Sequence, residues 1–372
     1  MVNSSIEPRS VEPSAATGGY QNNFGFIRLL LAILVVQQHA CFVLDGHLQR
    51  EPMVRAGLGY GLGTLGVFGF FSLSGYLITQ SWARSPKLGR FIRNRVLRIY
   101  PGFLVAAVIS VFVVGRIGSG PHYYEQFSVA RVMKCLATLT IPEVEESFPG
   151  TAVQGVLNGS LWSIPAEFSC YVMVALAGLT HALSRRRLIL GIFLLGLIVP
   201  PETIIRFFSS WLRNPYFNLL SQFLRMAPVF LCGVCAYLFR DRIHYTPKAT
   251  IGASVLLLLA LKLDVASRPA LIVLGSYLLF GIAFARLPRL WNIGSGVDLS
   301  YGIYLYHWPV QLMIVWYWRE LSPLLLFLLS LAGAAILAVG SWFLVEKPSL
   351  LLKNFPGGSL KAKHHLAGSG PG

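Results

Sequence analysis

Between Phe26 and Val345 the chain offers one apolar run after another long enough to cross a lipid bilayer, and this repetition constrains the fold more than any single motif does. A hydrocarbon core needs roughly 20 apolar residues per helical crossing. Within it every backbone N–H and C=O must be satisfied inside the segment, which a helix achieves. Only 12% of the 372 residues are charged, about half the share in soluble domains. The expected fold is therefore all-α, a polytopic membrane helical bundle with no soluble domain of useful size. Apolar runs predict ten transmembrane helices, over 26–44, 59–80, 97–115, 166–183, 188–200, 217–239, 249–264, 269–285, 298–318 and 322–345. Residues 129–141 are apolar but too few to cross, and are expected to lie as a helix on the outer face. Residues 1–23 read as a disordered cytoplasmic tail, 24–348 as the membrane domain and 349–372 as a second cytoplasmic tail. The polar start leads into a full-length span, so no cleavable signal peptide is expected.

The formal charge of +16 does not imply nucleic acid. With the N-terminus inside, about two-thirds of the Lys and Arg residues fall in cytoplasmic segments, the bias that the positive-inside rule requires, and both termini are then cytoplasmic. Those basic groups meet anionic membrane lipid. The five cysteines are scattered through mostly apolar segments, which argues against a disulfide framework or a metal site, and Cys232 and Cys235 are expected simply to pack.

An ionisable side chain inside a span is expensive and marks a functional candidate. Arg28 and His39 are eleven residues apart, about 20° from three whole turns, so they share one face of the first helix roughly 16 Å apart. Taken singly, Arg28 could be a snorkelling anchor and His39 a packing histidine; their alignment favours function. Arg93, Arg95 and Arg98 cluster at the cytoplasmic start of the third helix, where guanidinium groups suit phosphate, although topology and headgroups also call for basic residues there. In Ser160-Leu-Trp-Ser-Ile-Pro-Ala-Glu-Phe168, Ser163 suits an N-cap and Pro165 a first turn, but Glu167 begins an apolar stretch that capping does not explain. Ser300, Tyr304 and His307 form a polar stripe at i, i+4 and i+7, which lines either a cavity or an interhelical seam. The glycines from Gly57 to Gly75 fit close helix packing, and no phosphate loop, dinucleotide fingerprint or metal motif is present.

Taken in order, these elements resemble the integral membrane family known as acyltransferase family three, which includes enzymes that O-acetylate exopolysaccharides, O-antigens and Nod factors. The likeness runs from about Asn23 to Pro348. It rests on the Arg28-to-His39 spacing, Phe70-Phe-Ser-Leu-Ser-Gly75, Arg95 with Arg98, Ile99 and Pro101, Leu161-Trp-Ser-Ile-Pro-Ala-Glu167, the run Ser300 to Pro309, and Val345-Glu-Lys-Pro348. Two departures matter. Many members carry an acid three positions before the first-helix arginine, where this chain has Gly25, so a carboxylate partner for Arg28 must come from elsewhere. Many carry a second acid after Glu167, where this chain has Phe168.

The resemblance implies a multi-pass protein of the bacterial inner membrane that moves an acyl group, acetyl above all, from cytoplasmic acyl-CoA to a hydroxyl of a glycan or lipid-linked saccharide, with no metal. His39 is the expected base, with Arg28 and Glu167 beside it in catalysis; Arg93, Arg95 and Arg98 would hold the donor's phosphates, and Ser74, Trp162, Tyr304 and His307 would contact substrate. A covalent acyl-histidine relay is a variant. The rival class is a transporter or flippase of a lipid-linked glycan, in which the same polar residues would line a translocation path; no two halves with matched broken helices support it.

Overall fold

The computed structural model describes residues 22–209, 216–294 and 296–354. The expected tails therefore lie outside the described residues up to 21 and from 355 onward. Every regular element among the described residues is helical. Seven helices are long and apolar enough to cross a bilayer. Five of these are α1 (Phe24–Asp45), α2 (Leu62–Arg84), α3 (Leu88–Ile117), the helix that ends as α5 (Ser163–Leu179) and the one within α8 (Tyr216–Leu238). The other two are α10 (Ser267–Phe284) and α12 (Pro323–Leu351). Between α3 and α5 lies the short α4 (Val129–Ala137), nine residues long and unable to cross.

The predicted crossing at 188–200 is half of a broken unit: α6 (Arg186–Ile198) meets α7 (Pro201–Ser209) at a bend of 81°. Pro200 and Pro201 cause it, because neither has an N–H to continue the ladder. The predicted spans at 249–264 and 298–318 are also helices, α9 (Pro247–Leu263) and α11 (Ser300–Tyr317). However, α9 has only 17 residues and α11 is too rich in polar and aromatic groups, so length and composition support seven crossings, or eight with the bent pair, rather than ten. Helix α3 starts at Leu88 rather than near 97, so its arginines stand on the helix itself.

Polarity is distributed inside out. Leu344, Ile198, Ile336 and Leu263 face outward, exposed by two-thirds or more, whereas His307, Gln311, Ser330 and Glu346 are buried. That distribution suits lipid as the surrounding solvent. At the centre, α1 packs against α2, α11 and α12, and α2 crosses α8. The α2–α8 crossing is a backbone contact: a Cβ at Gly233 would lie 1.8 Å from the Ser72 carbonyl oxygen, and one at Gly75 would lie 2.0 Å from that of Phe230. Small residues let helices approach this closely where lipid provides no hydrophobic drive. The expected packing role of this glycine stretch is thereby located, and it sets the depth at which Ser74 faces the interior.

Candidate active site

Helices α1 and α11 run side by side, so two histidines 268 residues apart in sequence meet. His39 Nδ1 lies 2.7 Å from His307 Nε2, and their rings stack at 5.0 Å with 13° between planes. The acceptors available fix the tautomers. His307 Nδ1 is 3.1 Å from the Ile303 carbonyl oxygen, which can only accept, so Nδ1 carries the proton and Nε2 is the lone pair. His39 Nδ1–H must then donate to His307 Nε2. This leaves His39 Nε2 as an unprotonated nitrogen free to take a proton, with its ring oriented by a fully buried neighbour. Two residues further on, Pro309 has no N–H for the Leu305 carbonyl, and Asn158 Nδ2 supplies the missing donor at 3.0 Å. Asn158 Oδ1 also caps the turn Gly159–Trp162, so the loop before α5 is fastened to α11 beside the histidines.

A cavity of about 130 Å³ runs between α1, α2, α3, α5 and α11. Arg28, Arg95 and Arg98 line one end and Ser163 and Tyr304 the other, where the two hydroxyls lie 2.6 Å apart. Glu167 stands on its wall, and its Oε1 accepts from Ser74 Oγ at 2.7 Å and from Tyr171 OH at 2.5 Å. The Tyr304 ring lies 6.1 Å from that of His307, so the histidine pair begins one helical turn past the cavity's end. On its other side, Trp308 meets the His39 ring edge-on at 5.0 Å. Trp308 and Phe42 also line a second, larger cavity of about 630 Å³, walled by α4, Trp162, Asn158, Asn218 and Gln222.

The arginine end holds a residue that the sequence reading missed. Asp298 Oδ2 accepts from Arg98 Nη2 at 2.7 Å and lies 3.5 Å from Arg28 Nη1, while Oδ1 accepts from the Ser300 amide at 3.3 Å and the Ser300 hydroxyl at 2.5 Å. One carboxylate thus ties α1, α3 and the start of α11 together. Burial alone would raise its carboxyl, but the Arg98 and Arg28 charges and the Ser300 hydrogen bonds outweigh burial and hold it below the ordinary value. Gly25 explains why the acid comes from here: a Cβ at Gly25 would lie 2.3 Å from the Ile293 carbonyl oxygen, so the turn leading to Asp298 occupies the space an acidic side chain would need. Glu346, from the resembling Val345-Glu-Lys-Pro348 element, approaches Arg98 at 3.9 Å. The available signal was that Asp298 is one of only 15 acids and stands two residues before the Ser300 stripe.

The remaining sequence candidates divide between these places. Arg95 lines the first cavity with its guanidinium near the Tyr171 and Phe91 rings, whereas Arg93 does not line it and instead donates to the Lys353 carbonyl at 2.9 Å. Trp162 faces the second cavity. Glu167 faces the arginine cavity rather than standing beside the histidines, and His307 touches His39 rather than lining either cavity. Ser163 is not an N-cap: the turn Gly159–Trp162 continues into α5, and the Ser163 hydroxyl is spent on Tyr304.

The histidine pair thus stands between an arginine-lined cavity and an aromatic-lined one within a bundle whose helices are long and apolar enough to cross a membrane. Residues 22–345 match the family described as acyltransferase domain, and the chain belongs to that family. It is an acyltransferase, and the transporter alternative gives way. It is 26% identical over 340 residues to an O-acetyl transferase of Shigella phage Sf6, covering 88% of this chain and 95% of the relative. It is 25% identical over 373 residues to nodulation protein 10 of Rhizobium leguminosarum bv. viciae, covering 91% and 95%. No solved structure matches it.

Proposed function

We propose that this membrane acyltransferase is an O-acetyltransferase that carries an acetyl group from acetyl-CoA in the arginine cavity to a glycan hydroxyl in the aromatic cavity, across the histidine pair. The observation that carries this reading is the position of His39: its ring is oriented by His307, one turn from the end of the first cavity, and in edge contact with Trp308 of the second. The arginine end fits a phosphate-bearing donor, because the buried Nε–H groups of Arg28 and Arg95 have no hydrogen-bond partner among the described residues. The bias of Lys and Arg along the chain supports a reading in which that end lies at the cytoplasmic face of the bacterial inner membrane. The relative named an O-acetyl transferase supports oxygen as the acceptor atom. Trp162 and Trp308 with Asn218 and Gln222 suit a sugar, whose faces stack on rings and whose hydroxyls need amides.

In the reaction His39 Nε2 takes the proton of the acceptor hydroxyl while its oxygen attacks the thioester carbonyl carbon. The resulting oxyanion is stabilised by the hydroxyl pair of Ser163 and Tyr304, of which one hydrogen remains free to donate outward. The C–S bond then breaks, and the thiolate takes the proton back from His39. Purified protein reconstituted in nanodiscs, given labelled acetyl-CoA and a cell-surface glycan fraction, tests this. The account expects label on the glycan in proportion to free CoA thiol. Glycan acetylation without thiol release would overturn the donor, and thiol release with label only in water-soluble acetate would overturn the acceptor.

A further inference from the structure

Gln311 stands one helical turn beyond His307 on α11, on nearly the same face, and is fully buried. Its Nε2 donates to the Val36 carbonyl of α1 at 2.9 Å and to the Ser330 hydroxyl of α12 at 3.2 Å, so one amide joins three helices. Those partners fix which way the amide points. A carbonyl only accepts, and the Ser330 hydroxyl already donates to the Phe327 carbonyl at 3.1 Å, so both require the NH2 end of Gln311.

This junction falls beside the histidine pair. Helical side chains lean toward the N-terminus of their own helix, which carries the Gln311 amide back toward His307. Helical carbonyls point the other way, which aims the Val36 oxygen along α1 toward His39, three residues on. The two histidines share a single hydrogen bond, and a slide of α1 along α11 would break it. Apolar contact does not prevent such a slide: Val36 packs with Ala32, Ile303 and Ala338, and that contact resists separation but has no direction. The bond from Gln311 to a backbone oxygen does have one, and it sets the register.

The same amide works against stability. Gln311 Oε1 is buried with no hydrogen-bond partner among the described residues, and an acceptor left so destabilises a fold. A methionine of similar length would fill the space without that penalty. What Gln311 supplies is direction.

We infer that Gln311 is a positioning residue for the acyl transfer: by tying the Val36 carbonyl to α11 it holds His39 within hydrogen-bonding distance of His307 and keeps the base aimed. The inference rests on the reading of His39 as the base given above.

The test is a double-mutant cycle on the full-length protein in nanodiscs, comparing Gln311→Met, His39→Ala and their combination by single-turnover acetyl transfer and by thermal midpoint. Gln311→Met lowers the rate about tenfold or more, since a misplacement of about 1 Å costs up to roughly 10²-fold. The acetyl-CoA concentration that half-saturates the reaction does not change, and the midpoint does not fall. Added to His39→Ala, the same substitution causes no further loss, because no base remains to be aimed. A residue that merely held the bundle together would slow both backgrounds alike, and that result overturns the inference. So does an unchanged rate in Gln311→Met, or a midpoint that drops along with the rate. Should Gln311→Met not fold, Gln311→Asn takes its place: its amide is a methylene too short to reach Val36, and the same loss is expected. If neither folds, Gln311 is a structural residue and the inference fails. Transfer at the unmodified rate by His39→Ala defeats the base reading itself, whereas a slow His39→Ala beside an unimpaired Gln311→Met defeats only the assignment of Gln311.

Discussion

Arg98 Nη2 and Asp298 Oδ2 lie 2.7 Å apart, and that bond binds the helix bearing Arg95 and Arg98 to the loop that starts the helix bearing Tyr304 and His307. Both side chains are mostly buried, at 21% and 12% exposure. Removing one member of such a pair leaves a charge without compensation and destabilises by about 3 kcal/mol. Asp298→Asn is therefore expected to lower the thermal midpoint of the purified protein by several degrees. It also raises KM for acetyl-CoA, because Arg28 and Arg98 lose the acceptor that aims them. An unchanged midpoint together with an unchanged KM would show that Asp298 is a bystander.

The contact between α2 and α8 gives a prediction about folding alone. Gly233→Ala places a Cβ 1.8 Å from a backbone oxygen that cannot swing away, whereas Gly191 has open space around its missing Cβ. Gly233→Ala should lose the monodisperse peak in size-exclusion chromatography, and Gly191→Ala should keep it. Equal recovery of both would mean the two helices are not in backbone contact.

Much of this fold was legible because a bilayer imposes its length on every crossing helix, and the runs at α1, α2, α8 and α12 reveal themselves by apolarity. The start of α3 was not, because apolarity stops at the arginines while the helix does not: Asp298, Glu346 and the rings of Phe91 and Tyr171 take up their charge inside the protein. Along one helix the sequence shows which residues share a face, and so Arg28 with His39 and Ser300 with Tyr304 and His307 could be picked out. Which face meets which cannot be read from spacing. Hence the direct bond between His39 and His307, the pairing of Ser163 with Tyr304, and the reach of Asp298 to two other helices appear only in three dimensions.

His307 acts on its neighbour rather than on substrate, and its loss should look different from that of the base. His307→Ala frees His39 to adopt the other tautomer, lowering kcat by about tenfold or more, within the roughly 10²- to 10⁴-fold that a general base contributes, with little change in donor KM. His307→Gln, whose amide oxygen can accept the same Nδ1–H, should recover part of that loss. The double replacement of His39 and His307 by Ala should be no slower than replacement of His39 alone, because the two act as a unit. Fully additive losses would show that they act independently.

The central claim is that His39 removes the acceptor's proton, and it is measured most directly by single-turnover acetyl transfer from saturating acetyl-CoA in His39→Ala with intact folding. Loss of a general base predicts a fall of about 10²- to 10⁴-fold in rate while donor affinity stays within roughly twofold. Transfer at close to the unmodified rate would contradict the assignment of His39 and, with it, the mechanism built on the histidine pair.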